Sequence, residues 1–209
     1  MDMRIGNGHF APGSLHVRGD FQDSRQGTIG NMSTTALMTV EQLIQLLPVE
    51  DGQNHELLEG EHLVSPYPKS GHGRLQRRLA LVLDTQSPEG VEAFVEMGYL
   101  LSEYTYLKPD VSLTKPEQVR DTQADDWFRG SPAIAVEVVS LSNSAREIAR
   151  RVKAYFRYGG QEVWVVYPKK RQIHVHEPAG LTHRYENSVR SIVLPNLTLD
   201  LDELFRGLF

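Results

Sequence analysis

Glu137 is the first residue whose chemistry needs explaining. It lies within Ala133-Ile134-Ala135-Val136-Glu137-Val138-Val139, an almost unbroken apolar run of the kind that forms a strand buried on both faces. A carboxylate in such a strand costs several kcal/mol unless it is paired or binds a cation. The plainer explanations are a structural salt bridge or an edge strand turned to water. Asp110 shifts the balance. It opens a second strand-like segment, Pro109-Asp110-Val111-Ser112-Leu113. Two carboxylates at the ends of neighbouring strands can hold one Mg²⁺ or Mn²⁺ ion, which takes oxygen ligands and keeps several waters. An ion held in this way activates a water and stabilises charge on an attacked phosphodiester.

The elements that would position these residues follow from apolar spacing and from Gly and Pro. Thr39 can cap a helix whose apolar face is Val40, Leu43, Ile44 and Leu47, and Pro48 stops it. Segments 55–59 and 61–65 flank Gly60 and read as a tight hairpin. A helix over 72–83 carries Leu75, Leu79, Val82 and Leu83 on one face. Segment 91–107 reads as two strands, 109–113 as a third, and 115–130 as a polar loop pinned by Trp127 and Phe128. Ser142-Asn143-Ser144 caps a helix running to 158, which Gly159-Gly160 ends. Segments 162–167 and 172–177 form a hairpin, 191–194 a last short strand, and 199–205 a closing helical turn. This order predicts an α/β domain with a mixed sheet.

The 209 residues suffice for one domain with a full core. The absence of cysteine excludes disulfides, thiolate metal sites and cysteine nucleophiles, and it fits a cytoplasmic setting. No apolar run approaches the roughly 18 residues of a membrane span. Residues 1–31 are glycine-rich and aperiodic, which predicts a disordered leader. Met32 and Met38 are alternative starts, so the leader need not be native. The ordered domain is expected over 32–209. The net charge of −5 argues mildly against a nucleic-acid partner. A metal-holding site needs acidic residues, however, and its ion inverts the local field.

Several short motifs occur in a fixed order. They are Glu56-Leu57-Leu58-Glu59-Gly60-Glu61, Ser65-Pro66, His72, Pro109-Asp110 and Glu137-Val138-Val139-Ser140. Ser142-Asn143-Ser144-Ala145-Arg146-Glu147, Tyr155, Gly159 and Val163-Trp164-Val165-Val166 follow. The ordered set resembles the Uma-type restriction endonucleases of the PD-(D/E)XK nuclease superfamily, across nearly all of 33–205. The resemblance implies a restriction-endonuclease-like αβββαβ core with a mixed central sheet, extended here by a C-terminal hairpin. It implies a divalent-metal-dependent DNA endonuclease with Asp110 and Glu137 as the metal ligands. Glu56 is a further acidic ligand by its place in the pattern, or else an exposed hairpin glutamate. DNA is the implied partner, and a homodimer would suit double-strand cleavage.

The departure from the pattern matters as much. The superfamily carries a lysine two residues after the acidic residue, where this chain has Val139. Members of the family carry a lysine on the following helix instead. Ungapped counting between Glu137 and Tyr155 puts that position at Arg151, with Lys153 nearby. With Ile148, Val152 and Tyr155 as the buried face and about 100° per residue, Arg151 lies roughly 60° from its centre and Lys153 roughly 140° away. Arg151 is the catalytic candidate. Arginine can hold phosphate and stabilise charge but cannot act as a base. The alternative is therefore a weakened or inactive nuclease-fold module that binds nucleic acid or protein. His72 is a substrate candidate that could equally cap its helix, and Lys153 is a second one. Arg74, Arg77 and Arg78, and separately Arg146, Arg150 and Arg157, either face DNA or form solvated faces. His174 and His176 alternate as some metal ligands do, but without an acidic partner at useful spacing. Ser140 lacks a nearby histidine base, which argues against a serine hydrolase.

Overall fold

The computed structural model describes residues 37–47, 51–140 and 143–208, and the leader expected over 1–31 lies outside the described residues. Thr39 starts α1 (Val40–Leu46) through a capping box in which Thr39 and Gln42 each accept the other's main-chain N–H. The helix buries Val40 and Leu43 on Leu57 and Tyr106. Ile44, expected on the same face, is 39% exposed, because so short a helix covers only a narrow stripe of its neighbours. Strands β1 (Gln53–Leu58) and β2 (Glu61–Pro66) form the expected hairpin. Glu59 and Gly60 turn it, with φ of 54° and 82°, as two-residue hairpin loops require.

Helix α2 (Ser70–Thr85) comes next. The segment read as two strands is three: β3 (Glu92–Val95), β4 (Tyr99–Ser102) and β5 (Thr105–Leu107). The unexpected break falls at Glu96-Met97-Gly98, where Glu96 has φ 51° and Tyr106 packs directly over the Gly98 Cα. After β6 (Val111–Thr114), the polar segment read as a loop contains α3 (Pro116–Asp121) and β7 (Phe128–Arg129). Pro116 suits a helix start. The Gln118 side chain accepts from the Lys115 N–H and donates to the Arg129 carbonyl, which ties the two pieces together.

The remaining elements are β8 (Ile134–Val138), α4 (Ala145–Arg157), β9 (Glu162–Tyr167), a 3-10 turn (Pro168–Lys170), β10 (Gln172–His176), β11 (Thr182–Tyr185) and α5 (Leu201–Phe205). The strand expected at 191–194 is absent. There Ser191 Oγ accepts from the N–H groups of Val193 and Leu194 and folds the chain into a turn. Strand β11 escaped the sequence reading because its polar residues carry no apolar alternation.

One sheet runs β2-β1-β5-β4-β7, the other β11-β10-β9-β8-β6-β3. Both sheets are mixed: in the first β4 and β7 are parallel, and in the second β8 and β9 are parallel, joined through α4, while its other pairs are antiparallel. Alternation along β8 sorts its side chains. Val136 and Val138 pack with Leu75, Leu79 and Leu83 of α2. Ala135 packs with Ala154 and Tyr155 of α4. Glu137 shares the α4 side with Ala135, which aims a carboxylate at a helix.

Candidate active site

Strands β6 and β8 pair as Val111–Val136, Ser112–Ala135 and Leu113–Ile134. Continued by one residue, this register sets Asp110 opposite Glu137. Both lie at the same end of the sheet, one preceding β6 and the other near the end of β8. Asp110 is held from three directions. Its Oδ2 accepts from the Val138 N–H at 2.6 Å, and its Oδ1 accepts from His72 Nε2 at 2.7 Å and from Gln76 Nε2 at 2.9 Å. His72 and Gln76 are one turn apart on α2, so one helix face presents both. Gln76 Nε2 also donates to Glu96 at 3.0 Å.

Glu137 is 6% exposed. Its Oε1 accepts from Tyr155 Oη at 2.7 Å and from Arg151 Nη1 at 3.4 Å. Burial is the largest influence on it. Arg151 favours the charged form, while Asp110 and Glu56 oppose it, and the carboxyl is pushed up to about 7. Burial also raises the Tyr155 hydroxyl well above its ordinary range, with the Glu137 charge adding to it.

Arg151 lies nearer the middle of the buried stripe than the sequence suggested. The α4 residues buried are Ile148, Arg151, Ala154 and Tyr155, so Ala154 takes the place expected of Val152. Arg151 Nη1 and Nη2 grip both oxygens of Glu56, at 2.9 and 2.5 Å, and Nε donates to Glu147 at 3.3 Å. Glu56 is therefore buried and paired, not an exposed hairpin glutamate. Its Oε1 also accepts from the Lys108 N–H at 2.7 Å.

The fold thus groups Asp110 with His72 and Gln76, and Glu137 with Glu56 and Arg151; the charge of Asp110 is felt at Glu137, and Lys153 is exposed. His72 does not cap its helix; its ring is spent on Asp110. Burial opposes a charge on that ring, but the hydrogen bond and charge of Asp110 outweigh it and raise its pKa. Sequence reasoning missed Gln76, Glu96 and Glu147. Gln76 left a signal, a lone amide between the core residues Leu75 and Leu79. Two basic clusters have structural employment. Arg78 and Arg74 donate to carbonyls at the end of α5 and just beyond it, and Arg150 pairs with Glu59 and Glu61 of the hairpin. His174 packs tilted against Tyr167, and His176 meets Thr182.

The donor set suits a hard cation, since Asp110 and Glu137 offer carboxylate oxygens from adjacent strand ends. Among the described residues no group of three or more His, Asp or Glu side chains is arranged to hold an ion. Among the described residues no helix is long and apolar enough to cross a membrane.

A crystal structure of a putative nuclease belonging to DUF820 from Anabaena variabilis ATCC 29413 shares the fold. Its TM-score is 0.70 at 19% identity, covering 82% of this chain and 99% of that chain. No curated protein matches the chain. The Uma2 family, described as a putative restriction endonuclease, matches residues 40–208. Those residues hold every element from α1 to α5 and every residue of the site just described, and the chain belongs to that family.

Proposed function

We propose that this chain is a divalent-metal-dependent endonuclease that hydrolyses DNA phosphodiester bonds. The observation that carries the reading is the placement of Asp110 and Glu137 across from each other at adjacent strand ends, with Glu137 buried and held short of ready ionisation. Hydrolysis adds water across one bridging P–O bond and leaves a phosphate monoester and a hydroxyl. Asp110 and Glu137 would hold the Mg²⁺ or Mn²⁺ ion, with Glu56 a third acidic group beside them. When bound, the ion supplies Lewis acidity and a more acidic water. The protein's own groups fix the ligands. The Val138 N–H, His72 and Gln76 orient Asp110, while Tyr155 and Arg151 orient Glu137. Such outer partners determine how firmly a metal ligand is aimed. Cleavage of both strands of a duplex would call for two copies of the chain.

One observation favours a second reading, a nuclease fold that binds nucleic acid or protein without cutting. Arg151, at the position where the resemblance implies a lysine, is occupied by three carboxylates. A plasmid-nicking assay with Mg²⁺ and with Mn²⁺, run beside Asp110→Ala, separates the two. The nuclease reading expects nicking that needs the ion and vanishes in the variant. No ion-dependent nicking, or nicking that survives Asp110→Ala, rejects it.

A further inference from the structure

The cations at the site are already committed, with one exception. Arg151 is 5% exposed and pairs with Glu56, Glu137 and Glu147. Arg150 pairs with Glu59 and Glu61, and His72 is bonded to Asp110. Lys108 differs. Its main-chain N–H holds Glu56, but its ammonium donates to the neutral Asn54 Oδ1 at 3.0 Å. Among the described residues it has no ion-pair partner. Extended chains present residues two apart on one side. Asn54, which the ammonium touches, therefore shares a side of β1 with Glu56, which the Lys108 main chain touches. Lys108 is half-buried, and its main-chain and side-chain bonds go to two residues of β1, Glu56 and Asn54. An amide oxygen satisfies one of its three donors without neutralising it.

We propose that Lys108 contacts the phosphodiester backbone of the nucleic acid at this site and supplies the substrate-facing positive charge that Arg151 cannot. The proposal rests on the nuclease reading and adds the residue that meets the substrate. An ammonium acts on phosphate as a point charge. It offsets charge on the non-bridging oxygens as the attacked phosphate gains it, and it helps bring a polyanion to a chain of net charge −5.

Lys108→Gln removes the charge and leaves the main-chain bond to Glu56 in place. Binding of a labelled duplex is measured across a salt series in an Asp110→Asn background, where the substrate stays intact. Ion-dependent cleavage is measured separately at saturating DNA. Arg120→Gln, an equal loss of charge beyond the far end of β6, is the control. Lys108→Gln should flatten the log Kd against log salt slope by about 1, the amount expected for one phosphate contact. It should also slow cleavage by roughly 10²-fold, the usual loss on removing one preorganised charge-stabilising donor. Lys108→Arg should retain much of both.

If Lys108→Gln matches Arg120→Gln in slope and cleaves at the unsubstituted rate, the proposal is overturned while the nuclease reading stands. If the slope falls but the unsubstituted protein never cleaves, Lys108 stands as a DNA contact and the nuclease reading fails. Neither binding nor cleavage by the unsubstituted protein removes both.

Discussion

Replacing Glu137 by glutamine removes a carboxylate that is 6% exposed and whose pKa is pushed from 4.5 up to about 7, chiefly by burial. The folded value lies above the unfolded one. The stabilising contribution of this group is therefore fully present below about pH 4.5 and lost as pH rises through about 7. Each pKa unit is worth about 1.36 kcal/mol, so holding Glu137 ionised in the metal-free fold costs on the order of 3 kcal/mol. Glutamine does not titrate, and its carbonyl can still accept from Tyr155 and Arg151. The stability of Glu137→Gln relative to the unsubstituted protein should then rise by about 2–3 kcal/mol between pH 5 and pH 8. At 2–4 °C per kcal/mol for a chain of this size, that is roughly 5–10 °C in Tm. Paired thermal melts in EDTA at the two pH values read it, and DNA cleavage by the variant should be lost. A difference that stays flat between pH 5 and 8 would refute the reasoning. It would mean that Arg151 keeps Glu137 ionised throughout and that the buried carboxylate is a settled ion pair.

Other consequences can be checked by the same means. Arg151→Ala strands Glu56 and Glu137 without their buried cation and should cost about 3–5 kcal/mol, read by urea denaturation at pH 8; a loss under 1 kcal/mol contradicts the geometry. Gly98→Ala puts a Cβ 2.3 Å from Tyr106 Oη and 2.7 Å from its Cε2. That ring is buried against Trp127 and cannot easily retreat, so a drop of about 1–3 kcal/mol is expected. A chain beginning at Met32 should keep its Tm within about a degree or two if residues 1–31 carry no packing, and a larger fall would show that they do.

Part of this cluster could be read from the sequence because Glu137 violates its local pattern. A glutamate in a five-residue stretch that is otherwise aliphatic can be seen without any structure. A buried glutamate is not by itself a site, however, as Glu162 shows. It is 0% exposed at the start of β9, yet neutral donors satisfy it: Trp164 Nε1, Ser191 Oγ and the Ile192 N–H. What distinguishes Glu137 is the company of Asp110, Glu56 and Arg151, and only strand register and helix phase supply that. The phase of α4 was legible because Ile148 and Tyr155 fix it. Glu96 was not legible. It reaches Gln76 only because the chain reverses at a positive φ, and nothing in Val95-Glu96-Met97 announces that turn. Strand β7 was hidden for a similar reason, since two residues cannot display a period.

The charges around Arg151 bear on why an arginine stands there. Glu56, Glu137 and Glu147 surround its guanidinium, while Asp110 and Glu96 share the Gln76 amide, with His72 on Asp110. Five carboxylates thus face one guanidinium and one imidazole. A proton on Glu137 relieves part of this surplus, and a divalent ion would relieve more. The rigid fork of Arg151 bridges several carboxylates at once, which a compact lysine ammonium cannot do. Arginine therefore holds the metal-free site together and keeps Glu56 and Glu137 occupied. Lysine would release at least one of them to an ion. On the proposed metal-dependent reading, stability without the ion and readiness for it would be opposed at this position. Arg151→Lys should be less stable than the unsubstituted protein in EDTA, should gain more Tm from added Mg²⁺, and should cleave DNA at least as fast. Lys153→Ala, altering an exposed side chain on the same helix, should change none of these. An equal Mg²⁺-induced gain in Arg151→Lys and the unsubstituted protein would sink the idea that Arg151 competes with the ion. Cleavage appearing only in Arg151→Lys would identify the natural chain as a nuclease silenced by its own counter-ion.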